Sequence, residues 1–146
     1  MNFIRFMIIM STSVFVMPSM VAATCSTPYC PPPWRAFGGH CYQWIYESMS
    51  WLDAERYCQM LSHPGRMVHL VSIHSHDEDV FVESGVGSGN WIGLRGKKFN
   101  QWADGSDASY VNWRHNEPNG DGICVEWWGG WNDLACDDKL QFVCKM

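Results

Sequence analysis

Seven cysteines restrict the folds open to this chain more than any other feature of its sequence. They are Cys25, Cys30, Cys41, Cys58, Cys124, Cys136 and Cys144. All of them follow a segment with the features of a secretory signal, and cysteines in a small secreted domain form disulfides. Six cysteines can pair in fifteen ways, and spacing alone does not choose among these pairings. The seventh then stays free or joins a second chain.

The first 23 residues predict a cleaved signal peptide. Arg5 precedes an apolar run over residues 6–17, and Val21-Ala22-Ala23 has the small residues of a cleavage site. The run is too short and too interrupted by polar residues to span a bilayer. We therefore divide the chain into a signal peptide (1–23), a short N-terminal lead-in (24–29) and one domain (30–146) of a secreted, extracellular protein.

The charge of the chain disfavours two classes of partner. Arg5 is the only charged residue of the signal segment, so its removal changes the formal net charge from −5 to −6. Nucleic acids and anionic membranes both require a basic surface, and neither is expected as a partner. No second apolar run of membrane length follows, which predicts that the mature chain does not insert into a membrane.

Two helices and several short strands are predicted in the domain. Residues 50–61 are expected to be helical because apolar side chains recur on one helical face, and Ser50 with Asp53 forms a capping box. Residues 75–85 predict a second, shorter helix that starts at Ser75 and stops at Gly85. Strands are predicted at residues 67–73, 91–94, 124–128, 131–136 and 141–145, with a further hairpin that turns at Gly38-Gly39.

A long loop follows the strand at residues 91–94, and its end carries a set of oxygen ligands. These are the carboxylates and amides of Glu117, Asn119, Asp121, Asn132 and Asp133. Hard oxygen donors of this kind suit Ca²⁺, which takes six to eight of them, whereas zinc prefers nitrogen or sulfur. A cis peptide before Pro118 would turn Glu117 and Asn119 the same way. A Cys124–Cys136 bond would hold the two ligand groups side by side.

Together these motifs resemble the C-type lectin domain family. The resemblance rests on the WIGL strand, Glu117-Pro118-Asn119, Trp131-Asn132-Asp133 and the cysteine order, and it covers residues 30–144. It implies an α+β double-loop fold in which two helices flank small antiparallel sheets and a long loop region binds calcium. It also implies the long form of the domain, with an N-terminal hairpin. The implied disulfides are Cys30–Cys41, Cys58–Cys144 and Cys124–Cys136.

The resemblance further implies how such a protein acts. In this family the loop calcium receives two neighbouring sugar hydroxyls. Carried over, Glu117 and Asp133 accept hydrogen bonds from the sugar while Asn119 and Asn132 donate them. The Glu-Pro-Asn order is similar to the mannose-type subset, which takes equatorial 3- and 4-hydroxyls of mannose, glucose, N-acetylglucosamine or fucose. We therefore expect a calcium-dependent glycan-binding protein that acts in defence or adhesion.

Two departures from the family pattern bear on the number of calcium ions. Relatives carry a glutamate two residues before the cysteine at position 124, where this chain has Gly122, and Asp121 is the candidate substitute. An auxiliary site would need acidic residues after the WIGL strand, where the chain has Arg95-Gly96-Lys97-Lys98. We expect one calcium ion, held by Glu117, Asn119, Asp121, Asn132 and Asp133.

Several weaker signals have plainer explanations. Four histidines at positions 63, 69, 74 and 76 lack a zinc spacing and are expected to be solvated. Trp131 and one of Trp127 and Trp128 are expected in the core, while the other contacts a sugar or covers a disulfide. Calcium-bound carboxylates cannot donate protons, so no enzyme is expected. A lectin fold that binds a protein or mineral surface is the alternative function, and Cys25 is the candidate for a disulfide-linked homodimer.

Overall fold

The computed structural model of the protein describes residues 29–87 and 89–146. The predicted signal peptide and Cys25 lie outside these residues. In chain order the described residues form β1 (Arg35–Phe37), β2 (His40–Met49), α1 (Trp51–Met60), β3 (His69–Leu70), α2 (His76–Glu83), β4 (Asn90–Arg95), β5 (Cys124–Trp127), β6 (Trp131–Leu134) and β7 (Leu140–Lys145). Neither helix has the length and apolar character needed to cross a bilayer.

All seven strands belong to one mixed sheet. The order is β1-β2-β7-β4-β5-β6, and β3 pairs with β7 at the side. Every pairing is antiparallel except that of β4 with β7, which is parallel. The expected α+β fold with two helices is confirmed, but its strands form one sheet instead of separate small antiparallel ones. The parallel pair joins the N-terminal hairpin to the β4-β5-β6 meander.

Both helices begin where the sequence predicts. The Ser50 hydroxyl accepts the amide of Asp53, and the Ser75 hydroxyl accepts the amide of Glu78, so each serine satisfies one of the free N–H groups of its helix. Helix α1 buries Trp51, Ala54 and Cys58. That face packs on the sheet in a cluster that includes Phe142 and Cys144.

The strand predicted at residues 67–73 is much shorter than expected. Only His69–Leu70 pair regularly with β7. The next residue, Val71, bonds to two different strands. Its amide donates to Val143 of β7, and its carbonyl accepts from Gly93 of β4. A side chain at Gly93 would place its Cβ 2.6 Å from the Leu70 carbonyl oxygen. Glycine is therefore what lets β4 approach this irregular segment.

Three disulfides cross-link the elements of the fold, and they are the three that the family resemblance implies. Cys30–Cys41 closes the N-terminal hairpin, Cys58–Cys144 joins α1 to β7, and Cys124–Cys136 joins the start of β5 to the segment after β6. The second bond closes a loop of 86 residues in sequence separation. On the chain-entropy model such a bond contributes about 4–5 kcal/mol to stability.

The long loop between β4 and β5 is ordered by its own aromatic side chains. Trp102, Tyr110 and Trp113 approach the buried Trp131 edge-on, with ring centroids 5.3, 5.8 and 5.9 Å from it. Such edge-to-face contacts stabilise beyond the area they bury. This confirms the expectation that Trp131 lies in the core. The loop is thereby held against one face of the β5-β6 hairpin.

Candidate functional site

The loop reaches β5 through a turn built around Glu117-Pro118-Asn119. The peptide bond between Glu117 and Pro118 is cis, as the sequence predicts. The backbone amide of Asn119 donates to Glu117 Oε2 at 3.1 Å and to Asp133 Oδ1 at 2.8 Å. The turn therefore places the Glu117 carboxylate and the β6 carboxylate on either side of Asn119.

The Asn119 side chain brings in a third carboxylate. Its Nδ2 donates to Asp121 Oδ2 at 2.9 Å and approaches Glu117 Oε1 at 3.4 Å. Its Oδ1 accepts the Asp121 amide at 2.8 Å. The Glu117, Asp121 and Asp133 carboxylates thus all bond to one residue. Within the described residues, none of the three forms a salt bridge with a cationic side chain.

Asp133 holds the turn from within the fold. It is fully buried, and its Oδ2 accepts the amides of Gly120 and Gly122, each at 3.1 Å. With the Asn119 bond, the carboxylate accepts three of the backbone amides of the turn, while the Asp121 amide donates to Asn119 Oδ1. A buried carboxylate is tolerated only when its oxygens are bonded in this way. Its first role is therefore to fix the shape of the Glu117–Asp121 segment.

Asn132 does not join this group. Successive strand residues point to opposite faces, so Asn132 and Asp133 on β6 leave the sheet on different sides. Asn132 pairs across the strands with Glu126 of β5, and its Nδ2 donates to Glu126 Oε1 at 2.9 Å. Of the five predicted ligands, the structure gathers Glu117, Asn119, Asp121 and Asp133, and it places Asn132 beside Glu126.

Gly122 explains why the family glutamate is missing. A Cβ atom at this position would lie 1.8 Å from the Leu134 carbonyl oxygen and 2.0 Å from its carbon. These are backbone atoms of β6, which cannot move aside without breaking the hairpin. The shortened turn therefore passes too close to β6 for any side chain at position 122. Asp121, which is exposed, is the acidic residue available in its place.

The donor chemistry of the turn fits a calcium ion. The turn brings together the Glu117, Asp121 and Asp133 carboxylates and the side-chain oxygen of Asn119, and all of these are hard oxygen ligands. In the described part of the chain, no three His, Cys, Asp or Glu side chains already converge on a single metal position. The side-chain NH₂ group of Asn119, which is the positive end of the amide dipole, lies between the Glu117 and Asp121 carboxylates. The four residues fit the ion by charge and donor type.

The buried carboxylate of Asp79 anchors the long loop, a role that sequence patterns did not predict. Its Oδ1 accepts the indole N–H groups of Trp127 at 3.0 Å and Trp131 at 3.2 Å. Its Oδ2 accepts from Tyr110 at 3.3 Å and from the amide of Asn112. Burial and the negative charge of Asp79 raise the pKa of Tyr110 to about 12. The sequence did contain a signal for this role, because tryptophans in the core need buried acceptors for their N–H groups.

A second buried carboxylate, Glu78, joins α2 to the end of β7. Its Oε1 accepts from the Tyr42 hydroxyl and from Lys145 Nζ, both at 2.6 Å, and its Oε2 accepts the His74 amide at 2.8 Å. Burial raises the pKa of Glu78, but the bonds from Lys145 and Tyr42 outweigh burial and leave that pKa below its ordinary value. Burial and the Glu78 bond raise the pKa of Tyr42.

The histidines and the paired tryptophans are placed as follows. His63, His74 and His76 are exposed, as expected, but His69 is half-buried and its Nδ1 lies 2.7 Å from Glu55 Oε1. Trp127 lies in the core and Trp128 is 47% exposed. The Arg114 guanidinium lies over the Trp128 ring, 4.1 Å from its centroid.

The sequence matches the Lectin C-type domain over residues 47–146. It is 36% identical to Snaclec 5 of Bitis arietans over 148 aligned positions, which cover 94% of this chain and 95% of that protein. The structure is similar to the cow C-type carbohydrate-recognition domain of CD23 in the presence of a GlcNAc2Man3 oligosaccharide. The TM-score is 0.71 and the identity 34%, over 81% of this chain and 95% of that one.

A second solved structure is that of a protein described as calcium-independent. The calcium-independent type II antifreeze protein superposes with a TM-score of 0.72 at 28% identity, over 81% of this chain and 94% of that one. The same fold therefore occurs in a protein that does not depend on calcium.

Proposed function

This chain belongs to the C-type lectin domain family, a family of non-enzymatic domains, and on that premise we propose that it is a secreted, calcium-dependent glycan-binding protein of mannose-type specificity. The proposal covers one calcium ion and sugars with equatorial 3- and 4-hydroxyls. Biologically it places the protein in glycan recognition during defence or adhesion.

The observation that supports this proposal is the convergence of three carboxylates on Asn119. Glu117, Asp121 and Asp133 all bond to this residue, and no cationic side chain of the described residues neutralises them. Mutual repulsion of like charges is relieved by a bound cation. The exposed position of Asn119 and Asp121 leaves the cluster open to a ligand from solvent.

Each residue of the cluster has a distinct part in the proposed mechanism. Calcium, when bound, supplies coordination positions that two neighbouring sugar hydroxyls can fill. Glu117 accepts a hydrogen bond from one hydroxyl, and the Asn119 amide donates one, which fixes the orientation of the hydroxyl pair. Asp121 supplies the carboxylate that relatives carry on the missing glutamate. Asp133 keeps the turn in shape through its three amide bonds, and Asn132 is left out because its side chain lies on the other face of β6.

Retention on immobilised mannose in millimolar calcium is the experiment that tests this proposal. We expect the protein to bind, to elute with a chelator and to be competed by free mannose but not by galactose. The double variant Glu117→Gln with Asn119→Asp reverses the donor and acceptor sides and should lose mannose retention. Asp137→Asn, at an exposed residue outside the cluster, is the matched control and should bind normally. Passage of the wild type through the column in calcium would contradict the proposal.

A second candidate function is supported by the placement of Asn132. Without Asn132, and with Gly122 in place of the family glutamate, the cluster has fewer ligands than the family pattern supplies. A calcium-independent structural relative is known. The alternative is a domain that binds a protein or mineral surface without sugar. Binding to such a surface that persists in a chelator would favour it over the calcium-dependent lectin.

A further inference from the structure

The turn around Asn119 contains a pair of residues that can react with each other. Asn119 is followed by Gly120, and no other asparagine of the chain precedes a glycine. In such a pair the backbone nitrogen of the glycine can attack the side-chain carbon of the asparagine, which closes a succinimide ring. Glycine permits this close approach because it has no Cβ. Both residues are exposed, so water reaches the pair.

The fold holds the Asn119 side chain over the peptide group that would attack it. Its Oδ1 accepts the Asp121 amide at 2.8 Å, and an asparagine that bonds the amide two residues ahead folds back across the intervening peptide. The side-chain carbon Cγ, which carries Oδ1, is therefore held beside the Gly120 nitrogen. No atom lies within 4 Å of the place where a Cβ of Gly120 would be, so no neighbouring side chain obstructs the approach.

The hydrogen bonds of the turn match the needs of this ring closure. The Gly120 N–H donates to Asp133 Oδ2 at 3.1 Å, so its proton already has an acceptor. The Asp121 amide, which bonds Asn119 Oδ1, stabilises the negative charge that develops on this oxygen during the attack. Because Asn119 is exposed, water can protonate its Nδ2 group as that group leaves.

We propose that Asn119 is a self-modification site, which loses its side-chain amide in the folded protein when calcium is not bound. The Gly120 nitrogen bonds to Asn119 Cγ, the Cγ–Nδ2 bond breaks, and the Gly120 amide proton passes through Asp133 and water to the departing ammonia. A water molecule then opens the succinimide at either carbonyl, which leaves aspartate or isoaspartate at position 119. The sum is hydrolysis of an amide to a carboxyl group and ammonia, and it needs no oxidant or reductant.

The consequence for sugar binding rests on the function proposed above. There Asn119 supplies the N–H donor for a sugar hydroxyl, and an aspartate at this position has no such donor. Isoaspartate also lengthens the main chain by a CH₂ group, which displaces the backbone amides that Asp133 accepts. Oxygens of Asn119 and Asp133 that bind calcium are not available for the ring closure. Loss of the ion therefore begins a permanent inactivation of the sugar site.

Peptide mass spectrometry of the aged protein is the test. The full chain is incubated at pH 7 in a chelator, and the tryptic fragment 115–139 is sequenced to find where an amide has become a carboxyl group. This fragment also contains Asn116 and Asn132, which serve as internal comparisons because each precedes a residue with a Cβ. We expect conversion at Asn119 alone, at a rate no lower than in the urea-unfolded chain. A folded chain that keeps Asn119 intact while the unfolded chain converts would overturn the proposal.

Calcium provides the arm that separates this modification from the proposed calcium site. In about 10 mM calcium the folded chain should convert about tenfold more slowly, because a site of about millimolar affinity is then about nine-tenths occupied. The urea-unfolded chain should convert at the same rate with and without the ion. Conversion of the folded chain that calcium does not slow would count against the calcium site, while the ring closure itself would stand.

Two variants connect the modification to sugar binding. Asn119→Gln has a longer side chain that cannot close a succinimide with Gly120, and it should stay unmodified in the chelator. Asn119→Asp has the side chain of one reaction product, and like fully converted protein it should pass through the mannose column in calcium. Loss of the side-chain amide from Asn119→Gln at the wild-type rate would contradict the ring closure. Converted protein that is still retained on mannose would contradict the role of Asn119 as the donor.

Discussion

At the scale of single residues, Gly122 shows that the family pattern cannot be restored by one substitution. We expect Gly122→Glu to lower the free energy of unfolding by at least about 2 kcal/mol, because its Cβ would overlap the Leu134 carbonyl and overpacking costs about 1–3 kcal/mol or more. Mannose retention in calcium should fall, although the variant adds the expected carboxylate. Urea unfolding and the mannose column measure the two effects.

Ile123→Glu is the matched control for this prediction. Ile123 is 38% exposed, so a carboxylate there enters solvent beside the same turn. It should unfold near the wild-type urea concentration and keep its mannose retention. A Gly122→Glu protein that is as stable as the control and binds calcium more tightly would show that the turn can move away from β6.

Glu78 makes the stability of the fold sensitive to acid. Its pKa lies below the ordinary value of 4.5 in the folded chain, because the Lys145 and Tyr42 bonds outweigh burial. A lowered folded pKa adds stability that is complete above the ordinary pKa and is lost as the pH falls through the folded pKa. We expect Glu78→Gln to be less stable than wild type at pH 7, and we expect the difference to shrink in acid. Urea unfolding as a function of pH measures this.

Glu83→Gln provides the comparison for Glu78, since Glu83 is an exposed residue of the same helix. Its stability should follow the wild type at every pH. If Glu78→Gln instead loses the same free energy at pH 7 and at pH 3, its effect comes from packing and not from the charge. That result would contradict the proposed link between Glu78 and acid stability.

At the scale of secondary-structure elements, Asp79 couples helix α2 to the long loop. Asp79→Ala leaves the N–H groups of Trp127 and Trp131 and the donors of Tyr110 and Asn112 without their acceptor. An unsatisfied buried donor costs about 1–3 kcal/mol, so we expect a loss of at least about 2 kcal/mol. Hydrogen exchange should become faster at residues 100–113, while α1 keeps its protection.

Asp77→Ala removes an exposed carboxylate two residues earlier on the same helix and serves as the control. It should exchange like the wild type throughout the loop. Uniformly faster exchange over the whole domain in Asp79→Ala would mean that Asp79 supports global stability without a specific effect on the loop.

The elements differ in how far the sequence predicts them. Helix α1 follows from its apolar spacing and its serine cap, and α2 follows from its serine cap and the stop at Gly85, because these are local signals. The strand predicted at residues 67–73 was too long. The hydrogen bonds of this segment alternate between β7 and β4, which are distant from it in sequence. The Asn119 turn follows from its motif. The separation of Asn132 from Asp133 follows from strand alternation, but the motif alone groups the two residues together.

At the scale of the whole molecule, the features that the sequence leaves open are those that join remote segments. The parallel pairing of β4 with β7 and the four donors on Asp79 depend on three-dimensional proximity, which no local pattern records. The disulfides were accessible only through the resemblance, because spacing permits fifteen pairings.

The number of sugar sites in one molecule of the secreted protein depends on whether Cys25 links two chains. Six cysteines are used in the three disulfides, and we expect Cys25 to link two chains. Linked sites raise the apparent affinity for a dense surface by about 10²-fold or more without a new contact. Cys25→Ser should therefore migrate as a monomer on a non-reducing gel and dissociate faster from a mannan surface in calcium, while its affinity for free methyl mannoside stays unchanged. A wild-type protein that migrates only as a monomer would show that Cys25 links no second chain, and a single domain would then have to bind its surface alone.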